Sequence, residues 1–208
     1  MNWDHLNSEP VKRKQRIAVL ASGSGSNAAA LMERFLDHPM AEVVWVGCNR
    51  PPERAGIYER TEKLGLETIQ FDRNAMESGW VTEQLIALQV DWIALTGFLM
   101  KIPADMVEAF HQRIINIHPS LLPKYGGKGM YGHLVHEAVK AQGDVVSGMT
   151  VHWVNEAYDA GDILFQATCE VTPEDDANAI AGKVLALEHR YYADVLESLV
   201  REKDISLS

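Results

Sequence analysis

The run Arg113-Ile114-Ile115-Asn116-Ile117-His118-Pro119-Ser120-Leu121-Leu122-Pro123 constrains this chain more than any other stretch: an apolar strand leading into two prolines and a glycine-rich loop. Strands buried on both faces of a parallel sheet are near-continuous branched aliphatics, so Asn116 and His118 stand out in an Ile-rich segment. Residues two apart on a strand share a face. Pro119 pushes its predecessor away from helical angles and cannot donate to a ladder, so the strand must end near His118. The carboxyl edge of an open α/β sheet is where ligands bind. A bland alternative is that both side chains satisfy buried loop amides. Their shared face, their strand-end position and the proline-locked turn favour chemistry instead: an amide N–H and an imidazole can both serve a developing oxyanion, which suits acyl-type transfer.

The 208 residues, 47% of them hydrophobic, allow one well-buried domain. A formal charge of −10, with no dense basic face past residue 16, argues against nucleic acid as a partner. Cys48 and Cys169 are too few and too far apart for a disulfide framework or a Cys-x-x-Cys metal site. No apolar run approaches a membrane span and residues 1–16 lack a signal-peptide core, so a cytoplasmic protein without membrane contact is expected. Residues 1–15 read as a polar, flexible arm, and 16–208 as the single domain.

Ile17–Leu20 predicts a buried strand, followed by the turn Ala21-Ser22-Gly23-Ser24-Gly25-Ser26-Asn27 and a helix with Ala30, Leu31 and Phe35 on its apolar side. Small residues let the backbone approach an anion, which the free N–H groups and dipole of a helix start attract. Gly23-x-Gly25-x-x-Ala28 also fits a dinucleotide fingerprint, so an NADP-dependent oxidoreductase is an alternative. The second strand, however, ends in Asn49-Arg50 rather than an acidic residue that would hold a ribose, although Arg50 could meet a 2′-phosphate. Ser24, Ser26 and Asn27 suit a terminal phosphate, or merely cap the helix.

Further units follow: helix 53–64, strand Glu67–Gln70, helix 77–89 with Leu85, Ile86 and Leu88 inward, strand Asp91–Thr96, and a helix opened by Pro103. Alternation of this kind predicts a Rossmann-like α/β fold, an open, mainly parallel twisted sheet with helices on both faces. Phe98, Leu99, Met100 and Ile102 are either core or an apolar wall for a flat heterocycle. Gly126–Gly132 holds four glycines in seven positions and reads as a connector or as a lid offering Lys128 to an anion. His133–Ala141 reads as a helix that brings His136 near that loop. Residues 147–154 and 162–167 predict an antiparallel strand pair toward the C-terminus, joined by the turn Asn155–Gly161. Residues 173–176 cap a long helix with Ile180, Val184, Leu187, Tyr191 and Val195 as its apolar stripe.

Ser22–Asn27, Leu95-Thr96-Gly97-Phe98, Asn116–Pro123, Asp159-Ala160-Gly161-Asp162-Ile163-Leu164 and Glu188-His189 together closely resemble the phosphoribosylglycinamide formyltransferases. Methionyl-tRNA formyltransferases and formyltetrahydrofolate hydrolases are similar around Asn116, His118 and Asp159, but carry an additional domain for which this chain has no room. The resemblance implies transfer of a formyl group from 10-formyltetrahydrofolate, as co-substrate and without a metal, to the amine of glycinamide ribonucleotide (GAR). It implies that Asn116, His118 and Asp159 are catalytic, that Gly23, Ser24, Gly25, Ser26 and Asn27 hold the phosphate, and that Glu188 holds the glycinamide end. It implies a folate slot lined by Phe98, Leu99, Met100, Lys101, Ile102, Ile114, Asn155 and Asp159. A monomer or homodimer acting on small molecules is expected. Where relatives often place a Lys or Gln reaching the phosphate this chain has Leu185, so that contact is either lost or supplied by Lys183 or Lys128. A nucleotide- or folate-binding protein without turnover is the third possibility.

Overall fold

The computed structural model describes residues 13–206. Seven strands form one sheet: β1 (Gln15–Ala21), β2 (Ala41–Cys48), β3 (Thr68–Gln70), β4 (Trp92–Thr96), β5 (Ile114–His118), β6 (Val146–Trp153) and β7 (Ile163–Glu170). Their order is β3-β2-β1-β4-β5-β6-β7. The first five are parallel, as the alternation of strands and helices predicts, and β6 runs antiparallel to both of its neighbours, β5 and β7. Between them lie α1 (Ser26–Phe35), α2 (Ile57–Lys63), α3 (Arg73–Glu77), α4 (Trp80–Ala87), α5 (Ala104–Ala109), α6 (His133–Gln142) and α7 (Ala177–Ser206).

Alternate residues of β1 divide two cores. Ile17, Val19 and Ala21 pack with Leu31, Phe35 and the long helix α7, while Ala18 and Leu20 pack with Val81, Leu85, Met106 and Phe110 on the opposite face. Both faces are therefore dry, which is why β1 and β4 contain almost nothing polar. The chain passes from β1 to β2 on one side and returns to β4 on the other. The crevice outside the ends of β1 and β4 is thus a topological switch point, where such sheets leave room for a ligand.

Four expectations change in detail. Residues 1–12 of the predicted arm lie outside the described residues, but Gln15 is no arm: it opens β1, buried, donating to the Val200 carbonyl (2.7 Å) and accepting from Trp92 Nε1 (2.7 Å). Arg13 reaches Asp91 at 3.0 Å. The helix expected over 77–89 is broken at Gly79, whose φ of 82° is left-handed and ends α3 before α4 begins. Ile86 consequently points outward, 54% exposed. The helix expected over 53–64 is a single turn at Pro52–Arg54 followed by α2. On α7 the fully buried line continues through Glu188, Tyr192, Leu196 and Val200, whereas Leu187, Tyr191 and Val195 flank it.

Tyr192 can go inside because its hydroxyl has partners there, the carbonyls of Leu95 (2.9 Å) and Ile115 (3.2 Å). One phenol thereby ties α7 to the two strands that end at the crevice. Tyr192→Phe should leave the fold intact but cost about 1–2 kcal/mol, because two buried carbonyls lose a donor. Thermal denaturation should show a fall of a few degrees in Tm, and an unchanged Tm would show that the hydroxyl does not tie the elements together.

Candidate active site

The switch-point crevice opens into a cavity of about 640 Å³ bordered by the loop after β1, the ends of β4 and β5, the Gly127–Gly132 segment, the β6–β7 turn and one side of α7. Asn116 and His118 lie on its floor, two residues apart on β5 and on one face as the period requires. His118 is buried, with Nε2 donating to the Tyr125 carbonyl (2.8 Å) and Nδ1 3.5 Å from Asp159 Oδ2. Asp159 arrives from the distant β6–β7 turn in a left-handed conformation (φ 52°), and its Oδ2 accepts from the Gly127 amide at 2.9 Å. The three residues expected to act together are thus brought to one place.

A fourth polar side chain joins them. His152 stands opposite Asn116 in the β5–β6 register, its Nε2 3.0 Å from Asn116 Nδ2 and 3.6 Å from Asp159 Oδ1. Reading the chain alone missed it. The available signal was alternation, Thr150 and His152 on an otherwise apolar strand, but nothing in one sequence says which residue of β5 a residue of β6 will face.

Charge is distributed unevenly over this cluster. Burial pushes the His118 pKa below its ordinary value, against the opposing pull of the Asp159 carboxylate and the Tyr125 carbonyl. Burial would raise Asp159, but His152, His118 and the Gly127 amide outweigh it and hold the carboxyl below its usual range. His136, on the wall nearest the loop, is buried with no partner for Nδ1, and burial takes its pKa down to about 4.

At the other end of the cavity, Gly25 adopts φ 73° and opens α1. A Cβ there would stand 2.9 Å from the Ile57 backbone, so only glycine lets α2 pack against the turn. Gly23, Ser24, Gly25, Ser26 and Asn27 all border the cavity, with the uncapped start of a ten-residue helix facing it. Arg60, not anticipated, donates Nε to the Ser24 carbonyl (2.9 Å) and brings a guanidinium to the loop. Lys183 is committed elsewhere, 2.5 Å from Asp175, while Lys128 borders the cavity and Leu185 forms part of its rim. Glu188 is buried beneath the loop, receives Asn27 Nδ2 at 2.7 Å, and is raised by burial to about 7.

The residues expected to line a folate slot lie partly at this cavity and partly away from it. Phe98 and Leu99 border the cavity; Met100, Lys101, Ile102, Ile114 and Asn155 do not. Ile102 and Ile114 are core residues, the latter because it begins β5 while the cavity lies at the strand's far end. Lys101 is exposed. Asn155 is exposed in the β6–β7 turn, its side chain accepting from the Ala157 amide at 2.9 Å. Met130, Tyr131 and Tyr158 also border the cavity.

Glu188 makes a pH prediction. Its folded pKa of about 7 lies above the ordinary 4.5, so the folded protein binds the proton more tightly and loses stability as pH rises between those values. A Glu188→Gln variant lacks that loss. Its Tm should match wild type near pH 4.5 and exceed it by a few degrees at pH 8, as scanning calorimetry across that range would record. An equal offset at both pH values would contradict the assignment.

The formyl transferase family profile matches residues 15–196. The chain is 37% identical over 205 residues to a chloroplastic phosphoribosylglycinamide formyltransferase of Arabidopsis thaliana, covering 96% of this chain and 70% of that protein. It is 33% identical over 192 residues to the phosphoribosylglycinamide formyltransferase of Bacillus subtilis (strain 168), covering 89% of this chain and 95% of that protein. Among solved structures, the phosphoribosylglycinamide formyltransferase of Anaplasma phagocytophilum superposes with a TM-score of 0.81 at 32% identity, over 92% of this chain and 89% of its own. The sheet, the crevice and these relatives agree: the chain belongs to the phosphoribosylglycinamide formyltransferases of the formyl transferase family.

Proposed function

We propose that this cavity moves the formyl group of 10-formyltetrahydrofolate to the amine of GAR, giving formyl-GAR and tetrahydrofolate, with Asn116, His118 and Asp159 as its catalytic residues. The observation that carries the reading is the convergence, in one cavity, of an amide, an imidazole and a carboxylate with a helix-start loop suited to a phosphate. The Gly23–Asn27 loop holds the phosphate, and Glu188 accepts from the glycinamide end. Phe98 and Leu99 form the apolar wall beside the pterin. Arg50 does not border the cavity, which removes the contact an NADP reading requires.

The amine nitrogen attacks the formyl carbon, and the carbonyl pair moves onto oxygen. Asn116 donates an N–H to that oxygen. His118 transfers its Nε2 hydrogen bond from the Tyr125 carbonyl to the oxyanion, a change that the adjoining glycines of the loop accommodate. Asp159 favours the imidazolium as negative charge develops nearby. Collapse of the adduct breaks the bond to folate N10, which takes up the proton lost by the attacking amine through His118 and water. One chain supplies every group, so a monomer and a homodimer are equally competent. The two unpaired cysteines suit a reducing cytoplasm.

Absorbance of a 10-formyl-folate analogue, followed with and without GAR, tests the reading. Release only with both substrates is expected; release with water alone would indicate a hydrolase, and binding without release would leave a carrier protein. Asn116→Ala should fold normally and lose about 10²–10³ in kcat, the range typical of one oxyanion donor. Turnover near wild type would remove Asn116 from the mechanism.

A further inference from the structure

His152 uses both ring nitrogens, and its partners are of opposite kinds. Nδ1 lies 2.8 Å from the Trp153 carbonyl and Nε2 lies 3.0 Å from Asn116 Nδ2. A carbonyl oxygen only accepts, so Nδ1 carries the hydrogen, and the neutral ring then presents a bare lone pair at Nε2. Asp159 Oδ1 would favour the other tautomer, but at 3.6 Å it is beyond hydrogen-bond reach while the carbonyl is well within it. That carbonyl is itself clamped: Gly161 packs so tightly on it that a Cβ would stand 1.7 Å from the oxygen.

The lone pair has a consequence for Asn116. The amide satisfies it only by turning Nδ2 toward the ring; rotated by half a turn, it would set Oδ1 against the lone pair, acceptor against acceptor. The geometry points to His152 as a positioning residue, which keeps a hydrogen of the Asn116 amide, rather than its oxygen, available to the formyl oxygen. This rests on the proposed catalytic role of Asn116. Without His152, the amide is free to face the reacting oxygen with either end, and a misdirected Oδ1 would repel the charge that it should stabilise.

The first test is ¹⁵N chemical shifts of the wild-type imidazole, which should show a protonated Nδ1 and an unprotonated Nε2; the opposite tautomer overturns the proposal without any variant. Kinetics make the second. His152→Leu should lower kcat about tenfold or more with KM for both substrates within about twofold, because the loss falls on the transition state. His152→Gln, which can return an acceptor oxygen near Nε2, should recover most of kcat, and it stands in should the Leu variant not fold. In an Asn116→Ala background neither substitution should have a further effect. Equal losses in both backgrounds, or a Leu variant with wild-type kcat, would overturn the positioning role while leaving Asn116 catalytic. An Asn116→Ala enzyme with full turnover would instead remove the catalytic reading on which the role rests.

Discussion

The arrangement depends on one desolvated anion, the Asp159 carboxylate. Sealing a charge away from water costs several kcal/mol unless it is hydrogen-bonded, and here the direct donor comes from a loop remote in sequence. Gly127 donates from the glycine loop at 2.9 Å, and the imidazoles of His118, at the end of β5, and His152, on β6, close around the carboxylate at 3.5 and 3.6 Å. The turn that presents Asp159 adopts a left-handed backbone to do so. Holding the anion therefore fixes the positions of the loop, two strands and the β6–β7 turn relative to one another. Its charge also opposes the burial that otherwise pushes the His118 pKa down.

Glu188 shows the opposite solution to the same problem. It is more deeply placed, its close donor is the Asn27 amide, and burial raises it instead of pairing holding it down. Two carboxyl groups in one cavity thus sit on opposite sides of their ordinary range, the usual sign of a site that assigns them different work. One, held below its usual range, organises the cavity floor around Asn116 and His118. The other is poised near neutrality beside the phosphate loop, where an incoming nitrogen donor would draw it toward the carboxylate. Tyr192, one turn further along α7, anchors that helix to the strand ends and so links the two regions mechanically.

Much of this was legible in the chain because burial makes polar residues conspicuous. Asn116 and His118 interrupt an isoleucine strand, and Ser22–Asn27 interrupts a strand-to-helix transition with residues that no core requires. Asp159 was legible only through family resemblance, since an aspartate in a turn has an ordinary explanation. His152 and Arg60 were not, because cross-strand register and the docking of α2 on the β1 turn are tertiary facts. How the residues expected around a folate divide between this cavity and the core was not legible either: Phe98 and Leu99 border the cavity, while Ile102 and Ile114 pack in the core. On α7 the periodicity was visible but its phase was set by the tyrosine whose hydroxyl finds buried acceptors.

The central claim is that one cavity holds a phosphate at its glycine corner while the formyl carbon rests over β5. A crystal structure of the protein with GAR and a non-transferring 10-formyl-folate analogue tests that most directly. The account predicts the phosphate on the amides of Gly23–Asn27 and the formyl oxygen within hydrogen-bond distance of both Asn116 Nδ2 and His118. A phosphate bound elsewhere, or a formyl group turned away from those two side chains, would contradict it.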